Sequence, residues 1–227
     1  MTDDPTLHAH LLGRQGSRAD LNTPVLILDG DALDRNIAAM ASLVASHGVG
    51  LRPHAKTHKS VDIAKRQIAA GATGVCCAKI GEAEVLAEGG IAGILITSPV
   101  AAPRAIERLA ALANRARRLM AVVDHPAVAA RIDAALETRL DVIIDIDPGI
   151  ARTGVASPEA AVALAQAIAN LSNLNYRGVQ YYCGSQQHIE SFADRRGSLG
   201  SRGLRSPARA PPPPRAKIGR ASCRERV

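Results

Sequence analysis

The sequence predicts an α/β fold in which parallel strands alternate with helices, as in an incomplete (β/α)8 barrel. Short β-branched runs alternate with Ala-rich segments of helical period along residues 23–196. Apolar residues make up 47% of the 227 residues, whereas aromatic residues make up only 2%. A core built from Ala, Val, Ile and Leu is typical of parallel sheets covered by Ala-rich helices.

Each strand is predicted from a short β-branched run, and each helix from the Ala-rich segment that follows it. We predict strands at Val25–Asp29, Leu51–Ala55, Gly74–Ala78, Ile94–Thr97, Met120–Asp124, Val142–Asp147 and Gly178–Tyr182. We predict helices at Asp31–Ser46, Ser60–Ala70, Ile80–Glu88, Pro103–Ala116, Pro126–Leu136 and Pro158–Asn170. Ser157 and Pro158 combine an N-cap with proline at the first helical position, and Gly71, Gly89 and Gly90 fit helix ends.

The number of strands bears on the choice between a barrel and an open sheet. From Leu51 onward we predict six strands linked by five helices, and a closed barrel needs two more βα units. An open doubly wound sheet is the alternative, but no G-x-G-x-x-G follows an early strand, which argues against its dinucleotide-binding form. In a barrel that does not close, the edge strands stay unpaired and the apolar inner faces stay partly exposed. We therefore expect this chain to be poorly folded and inactive.

The formal net charge of +7 lies in residues 197–227, which hold eight of the 28 Lys and Arg but one of the 21 acidic residues. Their Pro, Gly, Ser and Arg content, without apolar periodicity, predicts a disordered tail. The tail has no aromatic residue for base stacking and no nucleic-acid-binding motif, so we predict no nucleic-acid partner. Lys217 to Val227 resemble a translated sequencing adapter, which indicates a non-native tail from about residue 197.

The remaining chain is organised as an N-terminal extension at residues 1–22 and a partial barrel domain at residues 23–196. No apolar run approaches the ~18 residues that a membrane span needs, and MTDDPTLHAH lacks the apolar region of a secretory signal. The four cysteines show neither a CxxC pair nor disulfide-like spacing. We therefore expect a cytoplasmic protein with reduced thiols and no membrane partner.

The segment LRPHAKTHK, residues 51–59, points most directly to chemistry. In a strand Arg52, His54 and Lys56 project to the same face. Three such side chains on one face of a buried strand are not ordinary core, and at the carboxyl end of barrel strands they would lie where barrel enzymes keep catalytic groups. Lys56 is then a candidate imine-forming nucleophile. The alternative is a basic strand end that meets solvent.

PHAKTHK, preceded by TPVLILDGDALDRN and followed by GVCCAKIGEAEVLAEGGI, resembles the D-threonine aldolase and D-serine dehydratase family. These enzymes belong to the alanine-racemase-like group of pyridoxal-phosphate barrel enzymes, and the resemblance runs from about Thr23 to Arg196. It implies a barrel of the alanine racemase N-terminal type, with a C-terminal β-domain absent from this chain. It also implies that Lys56 forms the Schiff base with pyridoxal 5'-phosphate, that His54 lies beside the cofactor, and that Lys59 is a surface charge at a helix start.

Two further segments match the same family. In IDIDPGIARTGV, residues 144–155, the resemblance implies that Arg152 hydrogen-bonds the cofactor phenolate, which its planar, permanent charge would stabilise. In GVQYYCGSQQH, residues 178–188, Tyr182 matches the strand-end aromatic residue near the cofactor ring. His188 is a candidate substrate contact, with a surface histidine as the alternative. Related aldolases often have His at the position of Cys183, so no acid–base role is assigned there.

The resemblance implies a pyridoxal-phosphate-dependent lyase acting on D-β-hydroxy amino acids. In a D-threonine-aldolase-like reaction, cleavage of the Cα–Cβ bond releases glycine and an aldehyde. Family members hold the β-hydroxyl with a divalent metal, whose ligands we expect outside this chain, and we assign no metal ligand within it. We expect a homodimer for the full-length enzyme. Alternatives are a dehydratase of D-serine or D-3-hydroxyaspartate, an amino-acid racemase, and a non-enzymatic pyridoxal-phosphate carrier with the same barrel.

Overall fold

The computed structural model describes Thr6 and residues 8–201, with side chains through residue 198. The chain divides into two compact units, Met1–Asn36 and Ile37–Val227. The predicted tail beyond Ser201, including the adapter-like Lys217 to Val227, lies outside the described residues. None of the described helices is both long enough and apolar enough to cross a membrane.

The described part of the first unit holds two 3-10 turns and, at residues 25–29, a segment with no regular secondary structure. The turns are Ala9–Leu11 and Ser17–Asp20. The strand predicted at Val25–Asp29 is wrong, because no described strand pairs with this segment and Leu26 is fully exposed. A β-branched run has strand propensity, but a strand needs a neighbour that accepts its backbone hydrogen bonds. Helix α1 (Gly30–Ser46) begins directly after this segment.

The second unit contains a five-stranded parallel sheet in the order β1-β2-β3-β4-β5. Its strands are β1 (Val75–Cys77), β2 (Ile94–Ile96), β3 (Met120–Val123), β4 (Leu140–Ile146) and β5 (Leu174–Tyr181). The helices are α2 (Val61–Ala69), α3 (Ile80–Glu88), α4 (Pro103–Ala113), α5 (Pro126–Ala135), α6 (Pro158–Ala169) and α7 (Phe192–Ser201). The alternation of strands and helices confirms the α/β class and the parallel sheet, while α7 is a helix that the sequence pattern does not predict.

The strand predicted at Leu51–Ala55 is also wrong. The segment forms only one isolated parallel bridge to β1, between His54 and Cys76. The Cys76 amide donates to the carbonyl of Pro53 at 2.7 Å. Pro53 itself has no N–H, so a continuous ladder cannot pass through it. The chain then turns into a 3-10 helix at Ala55–Thr57 instead of continuing as a strand.

The two faces of the sheet bury different apolar clusters. The outer face packs against the helices and forms the large core, which includes Val75, Ile94, Ala121 and Ile144. The inner face holds a smaller cluster of buried side chains, Cys76, Leu95, Val122 and Ile143, with Met120 packed against it. These four are at most 4% exposed. The expectation of a partly exposed inner face is therefore wrong for this cluster.

A β-bulge in β5 decides which of its side chains join the inner face. Between Val142 and Ile143 of β4 the pairing shifts, and Arg177 of β5 is left without a partner in the ladder. An extra residue reverses the alternation of side chains beyond it. As a result Gln180 pairs with Asp145 and lies on the same face as that carboxylate.

Candidate functional site

Three of the predicted site residues meet around the ring of Tyr182, which directly follows β5. The Lys56 Nζ lies 6.0 Å from the ring centroid, and the guanidinium carbon of Arg152 lies 5.5 Å from it. Both separations are in the range of cation–π contact. Lys56 and Arg152 are exposed and Tyr182 is half-buried. The arrangement places a primary amine and a guanidinium beside one aromatic ring at the carboxyl ends of the strands.

His54 positions the turn that carries Lys56. Its Nδ1 accepts a hydrogen bond from the Lys56 amide at 3.3 Å. Its Nε2 lies 3.2 Å from the hydroxyl oxygen of Thr97, and that hydroxyl donates to the carbonyl of Cys77 at 3.1 Å. Because Nδ1 accepts and the Thr97 proton is already used, the partners fit the neutral tautomer with its proton on Nε2. The ring is thus held in one orientation beside the cluster.

The two other basic residues of LRPHAKTHK lie elsewhere. Arg52 donates to the carbonyl of Gly93, directly before β2, at the amino end of the sheet. The prediction that it shares a face with Lys56 is wrong, because the segment turns into a 3-10 helix. Lys59 is exposed and directly precedes Ser60, the N-cap of α2, where a surface charge at a helix start is expected.

Arg152 lies in a loop, residues 147–154, that is held by carboxylates. The side chain of Asp147 accepts hydrogen bonds from three successive amides, those of residues 149–151, at 2.8–3.2 Å. The Gly154 amide donates to the carboxylate of Asp124 at 3.2 Å. Asp side chains commonly satisfy turn amides in this way. The loop therefore has a defined conformation at both ends of the segment that presents Arg152.

A third carboxylate, Asp145, lies beneath the loop and is 1% exposed. It accepts hydrogen bonds from the Thr153 hydroxyl at 2.8 Å and from the Gln180 amide at 2.9 Å. Burial raises the pKa of the Asp145 carboxyl, while these two donors act in the opposite direction. Gln180 also donates to the carbonyl of Thr97 at 3.1 Å. Because β2 and β5 are not neighbours, this bond crosses the inner face.

Cys183 and His188 lie at the two ends of a short segment that follows β5 and contains the 3-10 helix Gly184–His188. Cys183 is partly buried at its N-cap, and His188 is exposed at its last position. A substrate contact through His188 stays a prediction.

The buried polar residues Asp145 and Gln180, and the half-buried Thr97, are absent from the set predicted from the sequence. A weak signal exists for Asp145, since it and Asp147 stand two apart directly after the apolar run of residues 142–144 and so share a face. Nothing in the linear sequence reveals that Gln180 faces Asp145, because the bulge in β5 decides that pairing.

The chemistry of the cluster fits pyridoxal phosphate. Lys56 offers a primary amine for its aldehyde, Arg152 a permanent cation for its phenolate, and Tyr182 an aromatic ring near both. The nearby carboxylates already accept hydrogen bonds from the loop. Within residues 8–201, no group of three His, Cys, Asp or Glu side chains is placed to hold a metal ion.

Comparison with known proteins identifies the family of the chain. The model of the family "Alanine racemase, N-terminal domain" matches residues 28–198. A 3-hydroxy-D-aspartate aldolase of Paracoccus denitrificans (strain Pd 1222) is 43% identical over 185 residues, covering 80% of this chain and 48% of that protein. A D-threonine aldolase of Arthrobacter sp is 37% identical over 180 residues, covering 78% and 47%.

Among solved structures, D-threonine aldolase from Filomicrobium marinum matches with a TM-score of 0.78 and 41% identity. The match covers 82% of this chain and 51% of that one. The chain thus spans about half the length of the relatives it matches. The family match covers most of the chain and includes the Lys56, Arg152 and Tyr182 segments. The chain belongs to the alanine racemase N-terminal domain family.

Proposed function

We propose that this protein is a pyridoxal-phosphate-dependent lyase that cleaves D-β-hydroxy amino acids, as a D-threonine aldolase does. The observation that carries the proposal is the placement of Lys56 and Arg152 at 6.0 and 5.5 Å from the Tyr182 ring centroid. The relatives named as aldolases of 3-hydroxy-D-aspartate and D-threonine support the same substrate class.

Each residue of the cluster has a distinct task in this proposal. The Lys56 amine would hold the cofactor covalently at its aldehyde. Arg152 would donate a hydrogen bond to the cofactor phenolate. His54 keeps the Lys56 turn in place through the Lys56 amide. When bound, the cofactor supplies an electron sink for the charge that develops at Cα as the Cα–Cβ bond breaks.

Borohydride trapping tests the assignment of Lys56. The full-length protein that contains this chain is incubated with pyridoxal phosphate and reduced with borohydride. The labelled peptide is then identified by mass spectrometry. We expect the label on Lys56 and its loss in Lys56→Ala. The matched control Lys59→Ala changes an exposed lysine three positions away and should keep the label. A label on Lys59, or no label in the unaltered protein, contradicts the proposal.

Product analysis distinguishes an aldolase from a dehydratase. With D-threonine or 3-hydroxy-D-aspartate and a divalent metal, the same protein should release glycine and the corresponding aldehyde. Pyruvate and ammonia from D-serine, without glycine from D-threonine, would instead establish a dehydratase. Interconversion of amino-acid enantiomers without cleavage would establish a racemase.

A further inference from the structure

Asp145 is a buried carboxylate for which the proposed chemistry has no use. It is 1% exposed and lies on the inner face of β4, one residue from the end of the strand. Aspartate is almost never fully buried unless its charge is paired or hydrogen-bonded. Its two oxygens accept from two different segments, the Thr153 hydroxyl and the Gln180 amide. The carboxylate therefore joins parts of the chain that are far apart in sequence.

The first of these connections leads to Arg152. Thr153 is its direct neighbour, and the Thr153 hydroxyl bonds Oδ2 of Asp145 at 2.8 Å. The backbone carbonyl of Asp145 also accepts from the amide of Val155 at 2.9 Å. Asp145 thus holds the loop at two points within three residues of Arg152, one through its side chain and one through its backbone.

The second connection leads to the other side of the site. Gln180 bonds Oδ1 of Asp145 at 2.9 Å and stands two residues before Tyr182. The same amide group donates to the carbonyl of Thr97, and the Thr97 hydroxyl contacts the ring of His54. A continuous set of hydrogen bonds therefore runs from the Arg152 loop, through Asp145 and Gln180, to the residue that supports the Lys56 turn.

A carboxylate is suited to this place in a way that an amide is not. Both neighbours of Asp145 donate protons, and an ionised carboxylate only accepts them. An asparagine would direct its own NH2 group at one of the two donors and leave that donor unsatisfied. Packing alone could be served by either residue, since the two are nearly the same size.

We propose that Asp145 is a positioning residue, which holds the Arg152 loop and the end of β5 so that Arg152 and Tyr182 face Lys56. The identity of the ligand placed among these three residues rests on the proposed function. The conformation of the loop does not, so the two can be tested separately.

Amide hydrogen exchange tests the loop without any cofactor. We compare the unaltered protein with Asp145→Asn, Thr153→Val and Thr153→Ser, using the protein encoded by the uninterrupted reading frame. Losing one hydrogen bond to a charged group should speed exchange of the residue 149–155 amides about tenfold in Asp145→Asn and Thr153→Val. Thr153→Ser keeps the hydroxyl and should restore slow exchange.

The matched control is Asp141→Asn. Asp141 lies on the same face of β4 four residues earlier, and its carboxylate accepts from Asn175 at 2.6 Å and pairs with Arg177 at 3.4 Å. Both of these partners belong to β5 and not to the loop. Its substitution should leave exchange of the loop unchanged. Equal effects of Asp141→Asn and Asp145→Asn, or slow exchange in both Asp145→Asn and Thr153→Val, would overturn the inference. If Asp145→Asn does not fold, the Thr153→Val and Thr153→Ser pair decides.

Cofactor binding supplies the second readout. In Asp145→Asn and Thr153→Val the Kd for pyridoxal phosphate should rise about tenfold, and Thr153→Ser should restore it. The pKa of the bound cofactor, measured from the pH dependence of its visible absorption, should also rise. Moving the Arg152 cation away makes loss of the cofactor proton less favourable. Weaker binding with an unchanged cofactor pKa would mean a purely structural role and would overturn the inference. Absence of binding in the unaltered protein overturns the proposed function instead, and the exchange result still decides the role of Asp145.

Discussion

Tyr182 brings two cationic side chains together, yet its ring does not hold them there by itself. Exposed cation–π contacts contribute only about 0.5–1 kcal/mol each, and Lys56 and Arg152 are both exposed. The larger effect on Arg152 comes from its loop, where Asp147 and Asp145 accept several hydrogen bonds. Such bonds to charged groups contribute about 1.5–3 kcal/mol each. The geometry of the site is therefore set mainly by carboxylates beneath it.

Gly154 is the residue of this loop where a side chain is least tolerable. Its φ is +103°, and an added Cβ would lie 2.6 Å from the Asp147 amide nitrogen. We expect Gly154→Ala to lower the free energy of unfolding by about 2–3 kcal/mol, since backbone strain and a backbone clash combine. Urea denaturation measures the change.

Gly149→Ala is the control for this prediction. Gly149 also has a positive φ, +89°, but an added Cβ would meet no atom within 4 Å. Only the conformational strain remains, so the loss should be about 1 kcal/mol. Equal losses for the two variants would show that the clash at Gly154 is relieved.

The titration of Asp145 predicts a pH dependence of stability. Burial, the largest cause, raises its pKa above the ordinary value of 3.8, so the folded protein binds this proton more tightly than the unfolded chain. The resulting stability is fully present below pH 3.8 and is lost as the pH rises through the folded pKa. The Asp145→Asn variant has no carboxyl group to titrate at this position, so it does not lose stability in this way as the pH rises. The difference in free energy of unfolding between the two proteins should change with pH in that range, and a constant difference would contradict the assignment.

Helix starts and buried faces explain why the helical elements are predictable from sequence. Helices α4, α5 and α6 each begin with proline, whose fixed φ suits the first helical position. At α6 the Ser157 hydroxyl also accepts from the Ala160 amide at 3.2 Å. The buried residues of α6 are Ala161, Leu164 and Ile168, a spacing that places them on one face.

Leu164 and Val162 of α6 test this division of faces. Leu164 is 2% exposed and packs in the large core, whereas Val162 is 53% exposed. We expect Leu164→Ala to lower the free energy of unfolding by about 3 kcal/mol through lost burial and the cavity left behind. Val162→Ala should change it by about 0.5 kcal/mol or less. Thermal or urea denaturation compares them, and similar losses would mean that α6 packs in another orientation.

At the scale of the whole molecule, the parallel order of the sheet brings the functional segments to one edge. Lys56 follows the segment that bridges β1 in parallel at His54, Arg152 follows β4 and Tyr182 follows β5. Parallel strands all end at the same edge of a sheet, which is where barrel enzymes bind their ligands. The Gln180 amide adds a hydrogen bond across the inner face to the carbonyl of Thr97.

The segment at residues 25–29 of the first unit predicts how the isolated 227-residue chain behaves in solution. Leu26 and Leu28 are 101% and 62% exposed, in a β-prone stretch that no described strand pairs. Such segments promote aggregation by edge pairing. We expect the double variant Leu26→Lys, Leu28→Lys to aggregate several-fold more slowly by light scattering, without a lower Tm. Val162→Lys, on an exposed helix face, should not slow aggregation. A lower Tm in the double variant would mean that the leucines are buried.

By itself the sequence determined helices α1 to α6, the parallel α/β class and the segments that carry the chemistry. Periodicity and helix-start residues are local properties, so α2 to α6 are found close to where the pattern predicts them. The family resemblance of PHAKTHK and of the two later segments points to Lys56, Arg152 and Tyr182 as site residues. In the structure these three side chains lie close together.

Only the tertiary structure decided which candidates became strands and which polar residues support the site. Val25–Asp29 and Leu51–Ala55 have strand composition but lack a partner ladder, and pairing depends on distant residues. Gln180 reaches Asp145 because a single extra residue in β5 reverses its alternation. Such a bulge is set by how two strands meet in space, and therefore no local pattern in either strand predicts it.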